Sequence, residues 1–273
     1  MTTLIFQSIF TDDCIERGKG VAAGGAVYGI GPYVILIGIA DIANSLAAVK
    51  KCVFDDKSVN MEELMKALEA NFKGYEAVYK KLQKAPKFGN DNDFADDIAK
   101  EMFFHFAKTV RQYKNQRGGT IDPSVVPVSQ NVPYGLEVGA LPSPRLALTP
   151  LAEGVSPQQG TDLSGPTSVI KSVAGLPHAA FTGGTLLNLW VSGDSLKSES
   201  GIVKFANLID TYVYQGGYHI QVNTINKETL RDAQIQPEKY PTLMVRVAGY
   251  SAYFVDLAKP TQNDIIARTE HGL

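Results

Sequence analysis

Residues 242–257, TLMVRVAGYSAYFVDL, constrain this chain more than any other stretch, because apolar residues run almost unbroken on both sides of a single glycine, Gly249. That pattern predicts two buried extended arms joined at the glycine. Glycine tolerates positive φ and close backbone approach, so on its own Gly249 reads as a buried turn residue. Such arms need a body to bury them, and 273 residues with 44% hydrophobic content are enough for one large domain or two small ones.

The net charge is −2, with acids and bases interspersed. This excludes a nucleic-acid stripe and a membrane-seeking basic face, and points to small molecules or other proteins as partners. The longest apolar run, residues 33–40, is far too short to cross a bilayer. The opening MTTLIFQSIFTDD has no basic leader segment, so a cytoplasmic location is expected. Two cysteines, Cys14 and Cys52, argue against a disulfide framework and fit a reducing compartment.

Helical periodicity predicts a core helix over 37–54, with Cys52 packed near its end. Asn60 with Glu63 three residues on announces a second helix, stopped near Gly74, and 76–83 reads as a third. A long amphipathic helix is expected over 94–115, another over 167–174 opened by Gly165 and Pro166, and another over 195–214 ended by Gly216 and Gly217. Asn226 caps the next, and Thr261 as N-cap with Asp264 as third helical residue starts the last. Residues 218–225, YHIQVNTI, alternate as a strand with Ile220, Val222 and Thr224 on one face and His219, Gln221 and Asn223 on the other. Residues 118–166 are rich in proline, glycine and serine, and SVVPV and PYGLEVGALP read there as extended pieces.

Several apparent sites dissolve on inspection. The glycines of 11–31 lack a preceding strand, a Gly-Lys-Ser/Thr ending and a ribose-binding acid, so irregular backbone is favoured over a phosphate loop. Asp91, Asp93, Asp96 and Asp97 lack the ligand order of a calcium loop and read as helix-start acids. His105 has no second imidazole at i+4 and reads as a core histidine; His178 is likewise a lone, structural imidazole. Trp190, the only tryptophan, either lines a pocket or packs a sheet edge.

VRVAGYSAYFVDL, followed by Gln262 and by Asp264 through Thr269, closely resembles the C-terminal signature of the glycyl radical enzymes, the pyruvate formate-lyase-like superfamily. DDCIERGK, GGAVY, KFGNDND, residues 148–173 and GGTLLN resemble further segments of that family. The resemblance implies an α/β fold, the C-terminal half of a ten-stranded α/β barrel with surrounding helices and a buried C-terminal glycine loop. It divides the chain into a helix-rich part, 1–145, and a glycine-radical domain, 146–273.

By the same resemblance Gly249 stores the radical, with Arg246, Val247, Ala248, Tyr250 and Ser251 supporting its loop. Losing one Cα hydrogen leaves a planar centre whose electron is shared with the flanking amides, and a side chain would crowd that plane. No cofactor or metal is expected in the chain itself; a radical activase using S-adenosylmethionine and an iron–sulfur cluster installs the radical. In the family a cysteine on a loop well before the DDCIERGK-like segment then carries the thiyl radical to a small-molecule substrate. Cys14 belongs to that later segment and Cys52 to a helix, so neither matches. A partner subunit carrying the N-terminal half and its cysteine is therefore implied, within an oligomer, with this chain inactive alone and sensitive to oxygen. Gly29 after Tyr28 departs from the usual wording, and with the Trp190 segment it leans towards fumarate addition to a hydrocarbon. Diol dehydratase, choline lyase and arylacetate decarboxylase types are the alternatives, as is a non-catalytic spare part that repairs an oxygen-damaged enzyme.

Overall fold

The structure is a computed structural model that describes residues 4–27, 32–116 and 118–273; Tyr28 and Gly29 lie outside it. A short helix α1, Ile5–Ile9, leads into turns and a single 3-10 turn, Val21–Ala23, with no strand among the described residues 10–27. Strand β1, Tyr33–Ile35, then precedes α2, Ile39–Val49. The expected 37–54 helix is this α2 continued by a wider π-helical turn, Lys50–Asp55, in which Cys52 is buried and its thiol lies 3.7 Å from the Lys81 carbonyl.

Asn60 caps α3, Met61–Glu69, by accepting the Glu63 N–H at 2.7 Å. The following helix α4, Glu76–Gln83, has the expected bounds. Helix α5, Asp93–Val110, is capped by the Asn92 side chain rather than by an aspartate. The acids around it are spoken for: Asp91 pairs with Lys171, Asp97 with Lys100, and Asp96 accepts from Ser172. His105 is not a core residue. It lies on the exposed face of α5, because one turn of an 18-residue amphipathic helix faces water wherever its stripe turns away from the core.

Strand β2, Asp122–Ser124, confirms the extended reading of SVVPV only at its start. PYGLEVGALP instead opens within a helix, α6, Asn131–Glu137, where Pro133 sits in the first turn, a position that tolerates a missing N–H. After α7, Pro166–Ala174, come β3, Leu187–Val191; α8, Glu199–Tyr214; β4, Ile220–Asn223; and α9, Lys227–Ile235, capped by Asn226. The chain ends with the hairpin β5, Met244–Arg246, and β6, Ser251–Tyr253, then α10, Lys259–Ala267, and β7, Glu270–His271. Helix α10 starts before Thr261: Ala258 is its N-cap and Pro260 is in its first turn, so Asp264 sits mid-helix and buried.

The strands β1 and β2 pair in parallel, and β3 pairs in parallel with β4 and with β7. A parallel bridge between Val125 and Thr185 links the β2 end to the approach to β3. This is α/β architecture with short parallel strands and helices between them. The largest core cluster joins α2, α5, α7, α8 and β3, through residues such as Ile39, Phe103, Ile170, Leu187 and Tyr212, and so draws on both sides of residue 145. His178 is buried within it, as a structural imidazole should be, with Nδ1 2.7 Å from Thr185 Oγ1 and Nε2 2.8 Å from the Val173 carbonyl. A second cluster lies under α3 and α4, and a third, around Trp190, Leu230 and Phe254, lies behind the hairpin.

Some large apolar residues are left exposed. Tyr33, Val34 and Ile35 of β1 are 41–45% exposed, and Phe6 and Phe10 of α1 about three-quarters exposed. Apolar residues left in this way on an edge strand and a helix are what a partial barrel presents. Among the described residues no helix is long and apolar enough to cross a membrane.

Candidate functional site

The expected two arms are present: β5 and β6 run antiparallel with Arg246 opposite Ser251, and the Val247 N–H closes the turn on the Tyr250 carbonyl at 2.9 Å. Val247 and Ala248 are buried. Gly249 itself is not: it is exposed at the tip of the turn, contrary to the buried glycine loop expected from its apolar neighbours. A two-stranded hairpin lying on a body buries alternate residues along its strands, here Val245 but not Met244 or Tyr253, and at the turn Val247 and Ala248 face the body while Gly249 faces outward. Gly249 has φ +81°, so the backbone calls for glycine, and a Cβ there would stand 3.3 Å from Leu186 Cδ1, which would have to give by a few tenths of an ångström.

What holds the hairpin is a row of neutral amides. In the register of β3 and β4, Asn188 lies opposite Gln221, and Trp190 opposite Asn223. The alternation of YHIQVNTI is real, but its polar face is the more buried one: Gln221 and Asn223 are 5% and 6% exposed. Polar side chains survive burial when every polar atom is matched, and the hairpin backbone supplies the matches. Gln221 Oε1 accepts the Gly249 N–H at 3.0 Å and the Arg246 guanidinium at 3.1 Å, while its amide nitrogen donates to Asn188 Oδ1. Asn223 grips Arg246 at both backbone atoms, accepting its N–H at 2.8 Å and donating to its carbonyl at 2.9 Å. The Val247 carbonyl accepts from Asn188 Nδ2 at 3.2 Å and from the Arg268 guanidinium at 3.0 Å.

Behind this row sit charges. Asn188 Nδ2 also donates to Glu153 Oε2, and Arg268 pairs with the buried Asp264 at 2.9 Å. Asp264 is held in turn by Gln159 at 2.6 Å. Burial pushes the Glu153 carboxyl up to about 7, against the pull of Arg268 and its hydrogen bond from Asn188. Of the residues singled out from the sequence, Arg246, Val247, Ala248, Gly249, Tyr250 and Ser251 are thus gathered in one turn, where Arg246 donates to Ser251 Oγ at 2.9 Å. Cys14 and Cys52 are both buried and free, and neither appears among the partners of this turn.

Sequence reasoning missed Asn188, Gln221, Asn223, Glu153 and Arg268. The signals available were the polar side of the 218–225 alternation, read as a face without asking what it faced, and the segments 148–173, GGTLLN and 264–269, which contain Glu153, Asn188 and Arg268 but carried no assigned role. Trp190 is settled as well: it lies on the central strand of its sheet, 2% exposed, beside a cavity of only about 30 Å³, so it packs the protein rather than lining a substrate pocket.

Known proteins are similar to this chain in sequence and fold. The pyruvate formate lyase-like family model matches residues 1–135, and the glycine radical model matches residues 151–255, which include the hairpin turn. Trans-4-hydroxy-L-proline dehydratase of Clostridioides difficile is 43% identical over 265 residues, covering 97% of this chain and 33% of the relative. A probable dehydratase of Escherichia coli K12 is 44% identical over 281 residues, covering 98% and 34%. The glycerol-bound B12-independent glycerol dehydratase of Clostridium butyricum superposes with a TM-score of 0.95 at 45% identity, over 100% of this chain and 34% of that one. The chain spans about a third of the length of these relatives. With both models and these relatives aligned along it, the chain belongs to the glycyl radical enzyme family and represents the C-terminal, glycine-bearing part of that architecture.

Proposed function

We propose that this chain is the radical-storing part of a dehydratase-type glycyl radical enzyme, with Gly249 as the storage residue. The observation that carries the reading is the Gly249 turn itself: a glycine at φ +81°, its N–H fixed by Gln221, in the segment matched by the glycine radical model. An activase using S-adenosylmethionine and an iron–sulfur cluster removes one Cα hydrogen from Gly249. Arg246 and Tyr250 flank the glycine and present the turn. In the working step the Gly249 Cα radical takes the hydrogen atom of a cysteine S–H. The C–H bond forms as the S–H bond breaks, and the unpaired electron passes to sulfur for attack on a small-molecule substrate. That cysteine belongs to the portion of the architecture that this chain does not span, on a partner subunit or on the same polypeptide. The exposed faces of β1 and α1 suit docking to that portion.

Dehydration of a hydroxylated substrate is favoured over fumarate addition because the relatives described above are dehydratases at 43–45% identity. A spare-part role is less well supported, since similarity runs along nearly the whole chain rather than its last portion. The test is anaerobic: the chain, the complementary portion, an activase and a reductant are combined and the electron paramagnetic resonance spectrum is recorded. A doublet that is lost in Gly249→Ala is expected, with backbone cleavage near Ala248 on exposure to air; an unchanged spectrum in the variant refutes the assignment. Water release from a diol or hydroxyproline panel, against adduct formation from fumarate, then decides the reaction type.

A further inference from the structure

Behind the hairpin, the cavity of about 30 Å³ is bounded by Glu153, Ser156, Asn188, Trp190, Asn223 and Arg268, among others. Three of these residues carry a buried polar atom that no described residue satisfies: Glu153 Oε1, Trp190 Nε1 and Arg268 Nε. Only six such side-chain atoms occur among the described residues, so half of them belong to the walls of one small space. Native proteins leave few buried polar groups unmatched, because each would forfeit its hydration without return.

The chemistry of the three atoms names the occupant. An indole N–H and a guanidinium N–H are donors, and a carboxylate oxygen is an acceptor. A water molecule accepts two hydrogen bonds and donates two, which matches this set, and roughly 10–15 Å³ on this measure is enough for each water. A halide would satisfy the two donors but has no hydrogen to donate to Glu153 Oε1. We infer that one or two ordered water molecules occupy this cavity as a fixed hydration site, accepting from Trp190 Nε1 and Arg268 Nε and donating to Glu153 Oε1. Glu153 and Arg268 also hold Asn188 and the Val247 carbonyl, so this water completes the polar brace behind the glycine turn. The inference is independent of the radical chemistry proposed above.

Trp190 is the only tryptophan, so its indole N–H gives one side-chain resonance in the nitrogen-15-labelled chain, identified by its loss in Trp190→Phe. A cross-relaxation peak between that proton and water, with the sign of a long-lived bound molecule, is expected. Glu153→Gln, which keeps an acceptor oxygen, should retain the peak. An indole proton protected from exchange but showing no water peak overturns the site. As a second measurement on the unaltered protein, bromide-soaked crystals should show a water peak about 2.7–3.2 Å from Trp190 Nε1 and no anomalous signal there. An indole bonded directly to a protein acceptor, or a bromide in the cavity, also overturns it.

Discussion

The crossing around Arg145 and the glycine hairpin are both irregular backbone that the body of the protein has to hold, and the two are held by different chemistry. Arg145 is 3% exposed, and its one guanidinium donates to the carbonyls of Gly135, Val138, Gly139, Thr149 and Pro150. The approach is so close that a Cβ on Gly135 would overlap the Thr149 carbonyl. Arginine only donates, so it gathers carbonyls and nothing else, and it does so with a buried charge that cannot leave without consequence. The hairpin is held mainly by Asn188, Gln221 and Asn223, neutral amides that both give and accept and can therefore match N–H and C=O on the same turn, with a single charged donor, Arg268, on the Val247 carbonyl. Bonds to charged groups contribute about 1.5–3 kcal/mol and neutral ones about 0.5–1.5 kcal/mol. The crossing is thus the permanent fixture, and the turn bearing Gly249, exposed at its tip, is the segment more easily displaced.

The largest break in that comparison is expected at Arg145. Arg145→Met strips five carbonyls of their donor and should lower stability by about 3–5 kcal/mol in urea titration. Arg145→Lys should recover little of the loss, because an ammonium has three donors and no fork. Next comes pH, since each region contains a buried acid whose pKa is raised: Asp41, near Arg145 and accepting the Ala152 N–H, and Glu153 behind the hairpin, both pushed up to about 7 by burial. Unfolded, such groups titrate near about 4, so between about pH 4 and about pH 7 the folded state binds more protons than the unfolded one. Each group's contribution is therefore full at the acid end of that window and is lost as pH rises towards 7. Asp41→Asn and Glu153→Gln should each flatten that part of the stability-against-pH curve.

Gln221→Met sharpens the comparison at smaller scale. It removes the acceptor of Gly249 N–H and one partner of Arg246, and should cost about 1–3 kcal/mol. Hydrogen exchange should quicken at the amide of Gly249 while protection around Gly135 is unchanged; equal quickening at both would show that the two regions are not separately held. At the bottom of the scale, His105→Ala should leave stability within about 0.5 kcal/mol, as for an exposed position without partners of consequence.

Much of the helical skeleton was legible because its signals are local. Asn60 and Asn226 bond the N–H groups their positions predicted, and α4 and α7 begin within a residue of where the sequence placed them. The failures have one cause. His105, the PYGLEVGALP segment and Thr261 were judged from neighbours in the chain, whereas their state depends on what packs against them or on a proline in the first turn. The hairpin shows the same division: two extended arms joined at a glycine were legible, their burial was not, and the amides that hold them sit on strands 23 to 59 residues away and could not be paired without a register.

By itself the sequence determined that a glycine, flanked by apolar arms, closes a turn near the C-terminus, and its wording placed the chain in its family. Only the tertiary structure decided that the glycine stands exposed, that the polar face of β4 points inward, and that Glu153 and Arg268 meet behind the turn. Periodicity records which residues share a face, a property of the local backbone. Which face is turned from water depends on the packing of segments distant in the chain, and no local pattern contains that.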